Sequence, residues 1–330
     1  MIQGLRQAGM LAGLLQLCSF GFAFQADADD RVSIVPRTRM RPSPEDIAPK
    51  SYLRVDSSLV LIPAQVTTVA GAPITNLGRE NFALFEDGVP QTITQFATED
   101  APVSVGVLLD SSGSMKNKMA KVAAAAAEFF KSTNPEDEFF LVEFSTRAKL
   151  KIPFTRDWSQ LYSLISRAKP FGATALLDAL QLALAQMKHA RNTRRAVVIF
   201  SDGGDNNSRR NLRQMRTSLV EGGVQVYAMG VFDADYSVNH RAEERNGPRL
   251  LDEVALETGG HDFPVGSLDE LPVTGVQIAR ELRSQYILGY APTNSVADGK
   301  YRRVNLKLVL PKYASELRTY YRHGYYAPDQ

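Results

Sequence analysis

The sequence predicts an α/β protein with a doubly wound, mostly parallel sheet, helices on both of its faces, and a β-sandwich-like module beside it. Three observations support this prediction. Over residues 100–285, apolar runs of strand length alternate with helix-length segments, which is typical of a parallel sheet covered on both faces. Residues 51–99 and 286–330 show the apolar–polar alternation of antiparallel strands. Each flanking piece is too small to bury a core alone, so we expect the two to pair.

Residues 1–25 have the features of a secretory signal peptide. Arg6 adds positive charge, an apolar stretch runs from Ala8 to Phe24, and Ala23–Ala26 offers a cleavage region. We therefore expect export to the periplasm or the extracellular space, with no membrane span in the mature chain. A retained anchor stays open as an alternative, because about 17 apolar residues are near the lower limit for a span. A lipoprotein attached through Cys18 is a further alternative. Cys18 is the only cysteine, so cleavage of the signal peptide would leave a mature chain that cannot form a disulfide.

Composition and charge narrow the classes of partner. The 330 residues include 38 basic and 36 acidic side chains, a formal net charge of +2, with 44% hydrophobic and 22% charged residues. These fractions are ordinary for a globular protein, and the near-neutral balance offers no support for binding nucleic acid or an anionic membrane. Residues 26–50 are rich in proline and charge, so we predict a disordered linker there.

The β module is predicted from two separated pieces of the chain. Its amino-terminal strands are expected at Tyr52–Val55, Leu59–Val66, Phe82–Glu86 and Gln91–Phe96. Asp87-Gly88 stands between the last two of these strands and favours a tight hairpin turn. The carboxyl-terminal piece adds three expected strands, at Gln285–Tyr290, Tyr301–Val309 and Leu317–Arg322.

The central region alternates strands and helices along the chain. Strands are predicted at Ser104–Leu109, Phe139–Phe144, Lys149–Phe154, Arg195–Ser201, Val224–Gly230 and His261–Phe263. Helices are predicted at Met119–Lys131, Leu161–Ala168, Ala175–Ala190, Arg209–Glu221, Leu250–Thr258 and Leu268–Ser284. Gly222-Gly223 and Gly259-Gly260 follow two of these helices, as expected for helix ends. The polar stretch Phe232–Arg249 is expected to form a surface loop.

Polar side chains stand where the predicted strands end. Asp110, Ser112 and Ser114 follow the first buried strand, in the run VGVLLDSSGSM. Thr174 precedes a predicted helix, and Asp202 follows a second buried strand. Taken singly, each residue is better explained as a helix cap or a turn residue. Together they are expected at one edge, because ligands of open α/β sheets bind at the carboxyl ends of strands. Their hard oxygen donors suit Mg²⁺ or Mn²⁺ better than zinc.

This pattern resembles the metal-ion-dependent adhesion site of von Willebrand factor type A (VWA) domains, which have a Rossmann-like sheet. The family shows D-x-S-x-S, then a separate Thr and a separate Asp, and the resemblance spans roughly residues 100–285. It implies that a divalent cation, Mg²⁺ or Mn²⁺ with Ca²⁺ as a further candidate, is held by five residues. They are Asp110, Ser112, Ser114, Thr174 and Asp202. It also implies a protein partner that supplies an acidic side chain to the cation.

The flanking pieces carry a weaker resemblance of their own. Glu86-Asp87-Gly88, Tyr286–Tyr290 and Gly324-Tyr325-Tyr326 are similar to segments around the VWA domain in exported bacterial proteins of unknown role. The implied function is a metal-dependent binding module for adhesion or assembly. A structural envelope protein with an incidental metal site is the alternative, and the oligomeric state stays open.

Motifs for catalysis are missing from the sequence. The four histidines, His189, His240, His261 and His323, form no H-E-x-x-H motif and no pair with zinc-ligand spacing. The chain has no G-x-S-x-G elbow and no phosphate-binding glycine pattern. Because no base accompanies the site serines in sequence, a metal-assisted hydrolase is the less favoured alternative, and we predict that the protein is not an enzyme.

Overall fold

The computed structural model describes residues 59–98, 100–232, 246–311 and 316–329. The predicted signal peptide, linker and Tyr52–Val55 strand lie outside the described residues, as does most of the predicted 232–249 loop. All of the described residues belong to one compact unit, Val55–Gln330. Within these ranges, no helix is both long enough and apolar enough to cross a membrane.

Strands and helices appear close to their predicted positions. The strands are β1 Val60–Thr68, β2 Phe82–Glu86, β3 Val89–Gln91, β4 Gln95–Thr98, β5 Val103–Asp110, β6 Glu138–Phe144, β7 Ala148–Thr155, β8 Arg194–Ser201, β9 Gln225–Gly230, β10 Asp262–Pro264, β11 Tyr286–Tyr290, β12 Tyr301–Leu308, β13 Leu317–Tyr321 and β14 Gly324–Tyr326. The helices are α1 Met119–Lys131, α2 Trp158–Ile165, α3 Leu176–Met187, α4 Leu212–Gly222, α5 Gly247–Leu256 and α6 Leu271–Arg283. Helix α5 starts earlier than predicted because Pro248 suits a first helical turn.

The central sheet confirms the predicted fold class. Among the described residues it contains six strands in the order β10-β9-β8-β5-β6-β7. All neighbours run parallel except β6 and β7, which form an antiparallel pair at one edge. Strand β5 lies inside the sheet and every one of its residues is buried, which explains its uninterrupted apolar run.

Helices cover both faces of this sheet and build two cores. Helices α1, α2 and α6 pack on one face, and α3, α4 and α5 pack on the other. The alanine run of α1 allows close approach to α6. A Cβ added at Gly275 of α6 would lie 2.4 Å from the Ala125 carbonyl oxygen, so only glycine fits at that crossing.

The two ends of the chain pair as predicted and complete a β-sandwich. Two antiparallel sheets, each with four strands in the described part of the chain, have the orders β13-β1-β11-β4 and β14-β12-β2-β3. Strand β1 pairs with β11 and β13, and β2 pairs with β12. The sandwich core therefore mixes residues from both ends, such as Ile62 and Leu84 with Leu288 and Leu306.

The prediction of one continuous strand over Gln91–Phe96 is wrong. Strand β3 ends at Gln91 and pairs with β2, whereas β4 starts at Gln95 and pairs with β11 in the opposite sheet. The chain crosses between the sheets over residues 92–94, with Ile93 buried in the sandwich core. A crossing strand keeps the alternation of apolar and polar residues, so periodicity alone misses the break.

A buried polar cluster lies where the central sheet meets the sandwich. Glu281 of α6 is fully buried, and its Oε2 is 3.3 Å from His261 Nε2. Gln277 Nε2 donates to Glu281 Oε1 at 3.2 Å. The ring of Tyr320 in β13 stacks on His261 with centroids 3.9 Å apart. The cluster thus joins α6 and the β10 segment to the outer strand of the sandwich.

Candidate functional site

Asp110 is held rigidly at the carboxyl end of β5. Its side chain is fully buried. The Ser112 backbone N–H donates to Asp110 Oδ1 at 2.8 Å, and Ser201 Oγ donates to Asp110 Oδ2 at 2.5 Å. Ser201 in turn accepts from the Gly203 N–H at 2.9 Å. Both carboxylate oxygens are therefore oriented by donors from β5's own loop and from the neighbouring strand β8.

The two predicted serines share one short loop with Asp110. A single 3-10 turn covers Gly113–Met115, and the buried Met115 side chain anchors that turn in the core. Ser112 Oγ and Ser114 Oγ lie 3.1 Å apart. Ser112 is buried and Ser114 is half-buried. The loop thus presents two hydroxyls side by side, next to an oriented carboxylate.

The loop that carries Thr174 is bonded directly to this serine loop. Gly113 N–H donates to the Gly172 carbonyl at 3.0 Å, and Phe171 N–H donates to the Ser111 carbonyl at 2.8 Å. Gly172 has a φ of +86°, and an added Cβ would meet Thr146 Oγ1 at 2.4 Å. Both facts favour glycine there. Buried Thr174 follows, just before α3.

Asp202 follows β8 at the same edge and is paired with a lysine. Lys118 Nζ donates to Asp202 Oδ2 at 3.1 Å, and the two side chains are only 3% and 2% exposed. Burial, followed by the charge of Asp202, raises the pKa of Asp110 to about 7. Two buried carboxylates therefore repel each other at this edge, and Lys118 supplies one positive charge beside them.

Neighbouring acidic and amide side chains accept hydrogen bonds from backbone N–H groups. Asp205 Oδ2 accepts from Leu177 N–H at 3.1 Å, at the start of α3, and its Oδ1 accepts from Ser208 N–H. Asn206 Oδ1 accepts from Thr174 N–H at 2.9 Å. These contacts fix the Thr174 loop against the loop after β8.

The structure brings all five predicted residues to one edge of the sheet. Within the described ranges, no group of three or more His, Cys, Asp and Glu side chains is placed to hold a metal ion, so any cation here depends on hydroxyl donors as well as Asp110 and Asp202. Sequence reasoning missed Ser201 and Lys118. Ser201 directly precedes Asp202 and could have been found from that position, whereas Lys118 gives no local signal.

Comparison with protein families identifies one region of the chain. The sequence profile of the von Willebrand factor type A domain matches residues 105–204, a stretch that contains all five residues. Residues 105–204 are a VWA domain. No curated protein matches the chain.

Several solved structures match part of the chain, each with a TM-score under 0.5. An aerotolerance-related membrane protein from Bacteroides fragilis is 21% identical, with 55% of this chain and 98% of that one covered and a TM-score of 0.46. BatB from Bacteroides thetaiotaomicron is 19% identical, with 55% and 100% covered and a TM-score of 0.45. A von Willebrand factor type A protein from Catenulispora acidiphila is 12% identical, with 75% and 73% covered and a TM-score of 0.46.

Proposed function

We propose that this chain is an exported, metal-dependent protein-binding module for adhesion or assembly. A divalent cation at the edge of the VWA sheet bridges to an acidic residue of a protein partner. The observation that carries the proposal is the placement of Asp110 and Asp202, two buried carboxylates, beside the paired hydroxyls of Ser112 and Ser114. The proposal of export rests on the sequence of residues 1–25.

The donor set fits Mg²⁺ or Mn²⁺. Asp110, Ser112, Ser114, Thr174 and Asp202 offer carboxylate and hydroxyl oxygens, which hard divalent cations prefer. Two carboxylates that repel each other gain most from a doubly charged ion, because Coulomb energies are larger away from bulk water. The single ammonium of Lys118 balances only part of that charge. The bound ion would supply an electrostatic bridge.

The proposed coordination sphere leaves room for an oxygen ligand from outside this chain. Mg²⁺ prefers six oxygen ligands, and five protein positions leave at least one for water or for a partner's carboxylate. A VWA domain matched over residues 105–204 supports a protein partner. No base accompanies the site serines in sequence. We therefore propose binding, without catalysis, as the role of this edge.

A second candidate function is favoured by the Lys118–Asp202 pair. A buried ammonium 3.1 Å from the carboxylate can serve as a permanent counter-ion. The edge would then be a structural part of an envelope or assembly protein, and the protein would need no metal. The two candidates differ in whether a cation binds at all.

Isothermal titration of Mg²⁺ and of Mn²⁺ into the metal-free full chain separates them. We expect one ion per chain, with binding lost in Asp110→Ala and retained in Asp269→Ala, whose exposed carboxylate pairs with Lys121. The titrations are repeated with acetate present as a stand-in for the partner's carboxylate. Folded protein that binds neither ion, with or without acetate, would contradict the binding proposal and favour the structural one.

A further inference from the structure

A groove of about 860 Å³ borders the Thr174 loop. One wall is a face of α3, from Asp178 through Gln181 to Ala185. The opposite walls are the turn between β6 and β7, at Thr146 and Arg147, and the 207–214 segment that leads into α4. A groove of this size can accept several residues of a partner chain.

Hydrogen bonds attach the wall of this groove to the Thr174 loop of the candidate cation site. Asn207 N–H donates to the Thr174 carbonyl at 3.0 Å. Asn207 Nδ2 donates to the Thr146 carbonyl at 2.7 Å, and Ala173 N–H donates to Thr146 Oγ1 at 3.2 Å. Thr146 and Asn207 therefore belong both to the groove and to the frame of the Thr174 loop. The groove therefore begins next to the loop that carries Thr174.

The charge of the groove is predominantly positive. Arg147, Arg209 and Arg210 line it and are exposed. The described lining holds one carboxylate, Asp178, whose Oδ1 accepts from the Arg209 backbone N–H at 3.2 Å. Exposed Lys116, in the serine loop, adds a further positive charge at the site itself. Guanidinium groups recognise carboxylates through paired hydrogen bonds.

An exposed aromatic ring stands beside the same loop. Phe171 is 80% exposed, although its backbone N–H is bonded to the Ser111 carbonyl at 2.8 Å. Its position is therefore fixed while its ring stays in solvent. A large apolar side chain held in this way is a suitable anchor for a partner, since aromatic residues dominate the energy of many interfaces.

We propose that the ligand of this edge is an extended acidic segment of a protein partner, an inference that rests on the proposed function. One carboxylate of the segment binds the cation, and further carboxylates bind the arginines of the groove. The α3 wall from Asp178 to Ala185 is about 10 Å long at 1.5 Å per residue. That length corresponds to about three residues of extended chain. An apolar residue of the segment covers Phe171.

Peptide selection tests this inference. The full chain is immobilised with Mg²⁺, short random peptides are selected from a display library, and the winning peptides are synthesised and titrated. We expect at least two acidic residues a few positions apart, binding that is lost with EDTA and in Asp110→Ala, and weaker binding as NaCl rises.

Charge-reversal variants then locate the contact. Arg209→Glu/Arg210→Glu is expected to weaken the selected peptides roughly tenfold or more, and Phe171→Ser several-fold. The matched control is Arg303→Glu/Lys307→Glu, which makes the same change of charge on the exposed side of β12 and should leave affinity unchanged.

The outcomes separate this inference from the proposed function. Metal-dependent peptides with a single acidic residue, indifferent to Arg209→Glu/Arg210→Glu, would overturn the groove and leave the function standing. The selected peptides are also put in competition with a single-stranded DNA oligonucleotide of the same net charge. If the oligonucleotide bound more tightly than the peptides and displaced them, the choice of a protein partner would be overturned. Selection without any peptide that depends on both metal and Asp110 would overturn the inference and the function together.

Discussion

Two buried carboxyl groups of this protein lie in contrasting surroundings. Asp110 is at the edge of the VWA sheet near Asp202, which Lys118 approaches at 3.1 Å. Glu281 is at the junction with the sandwich, 3.3 Å from His261 and hydrogen-bonded by Gln277. Burial is the main cause that raises the pKa of both carboxyls, that of Asp110 to about 7 and that of Glu281 to about 8.

The difference between these surroundings separates the candidate cation site from a structural contact. At the junction, burial and then the charge of Arg318 lower the pKa of His261 to about 4, so its ring is neutral and Glu281 can keep its proton. At the edge, the charge of a second carboxylate, Asp202, is the next cause after burial that raises the pKa of Asp110. Two neighbouring carboxylates suit a cation, whereas a neutral cluster suits permanent packing.

The largest expected effect tests the charge balance at the edge. Asp202→Ala takes away the carboxylate 3.1 Å from the buried Lys118 ammonium, and we expect the free energy of unfolding to fall by about 4 kcal/mol. Urea denaturation measures it. Asp269→Ala is the matched control, because it breaks the exposed Lys121–Asp269 pair and should leave the free energy of unfolding nearly unchanged.

A double variant sharpens that test. Lys118→Met/Asp202→Ala removes both charges and should recover most of the stability that Asp202→Ala loses. If the single and double variants were equally unstable, the loss would come from packing, and the balance of charge at the edge would be refuted.

The next effect concerns the junction and depends on pH. The folded-state pKa of Glu281 lies above its ordinary value of 4.5, so its contribution to stability is fully present below pH 4.5 and is lost as pH rises through 8. Glu281→Gln resembles the protonated form. We expect no gain near pH 4.5 and a gain of about 4 kcal/mol at pH 8.

Thermal unfolding between pH 5 and 9 measures this trend. Glu270→Gln, an exposed residue just before the same helix, is the matched control and should show no such slope. His261 acts in the other direction. Its pKa is lowered from the ordinary histidine value of 6.5 to about 4, so the wild type loses stability as the pH falls from 6.5 toward 4. A gain for Glu281→Gln that does not change with pH would contradict the comparison.

The smallest effect is on cation affinity. Lys118→Met removes the ammonium that faces Asp202, so the cation no longer competes with a like charge. We expect Mg²⁺ to bind about tenfold more tightly, equivalent to about 1.4 kcal/mol, by calorimetric titration. Lys121→Met is the control. Lys121 forms an exposed pair with Asp269, so this change should leave the Mg²⁺ affinity unchanged. Weaker binding in Lys118→Met would show that the lysine organises the site and does not compete for it.

Local sequence patterns by themselves predicted much of this protein. The apolar runs of β5 and β8, separated by helical segments, were sufficient for a parallel sheet, because a strand buried on both faces must be apolar throughout. The polar residues after those runs then had to share one edge, since parallel strands end together. The pairing of the two chain ends also followed, because neither piece could bury a core alone.

Tertiary structure alone decided the features that join distant residues. Lys118 and Asp202 are 84 positions apart, and no local pattern pairs a lysine before a helix with a carboxylate after a strand. The crossing at residues 92–94 preserves strand periodicity, so only the partner strands reveal it. The same holds for Arg147 and Arg209, which meet in one groove. Periodicity reports which face of an element is buried, and the fold decides what each polar side chain meets there.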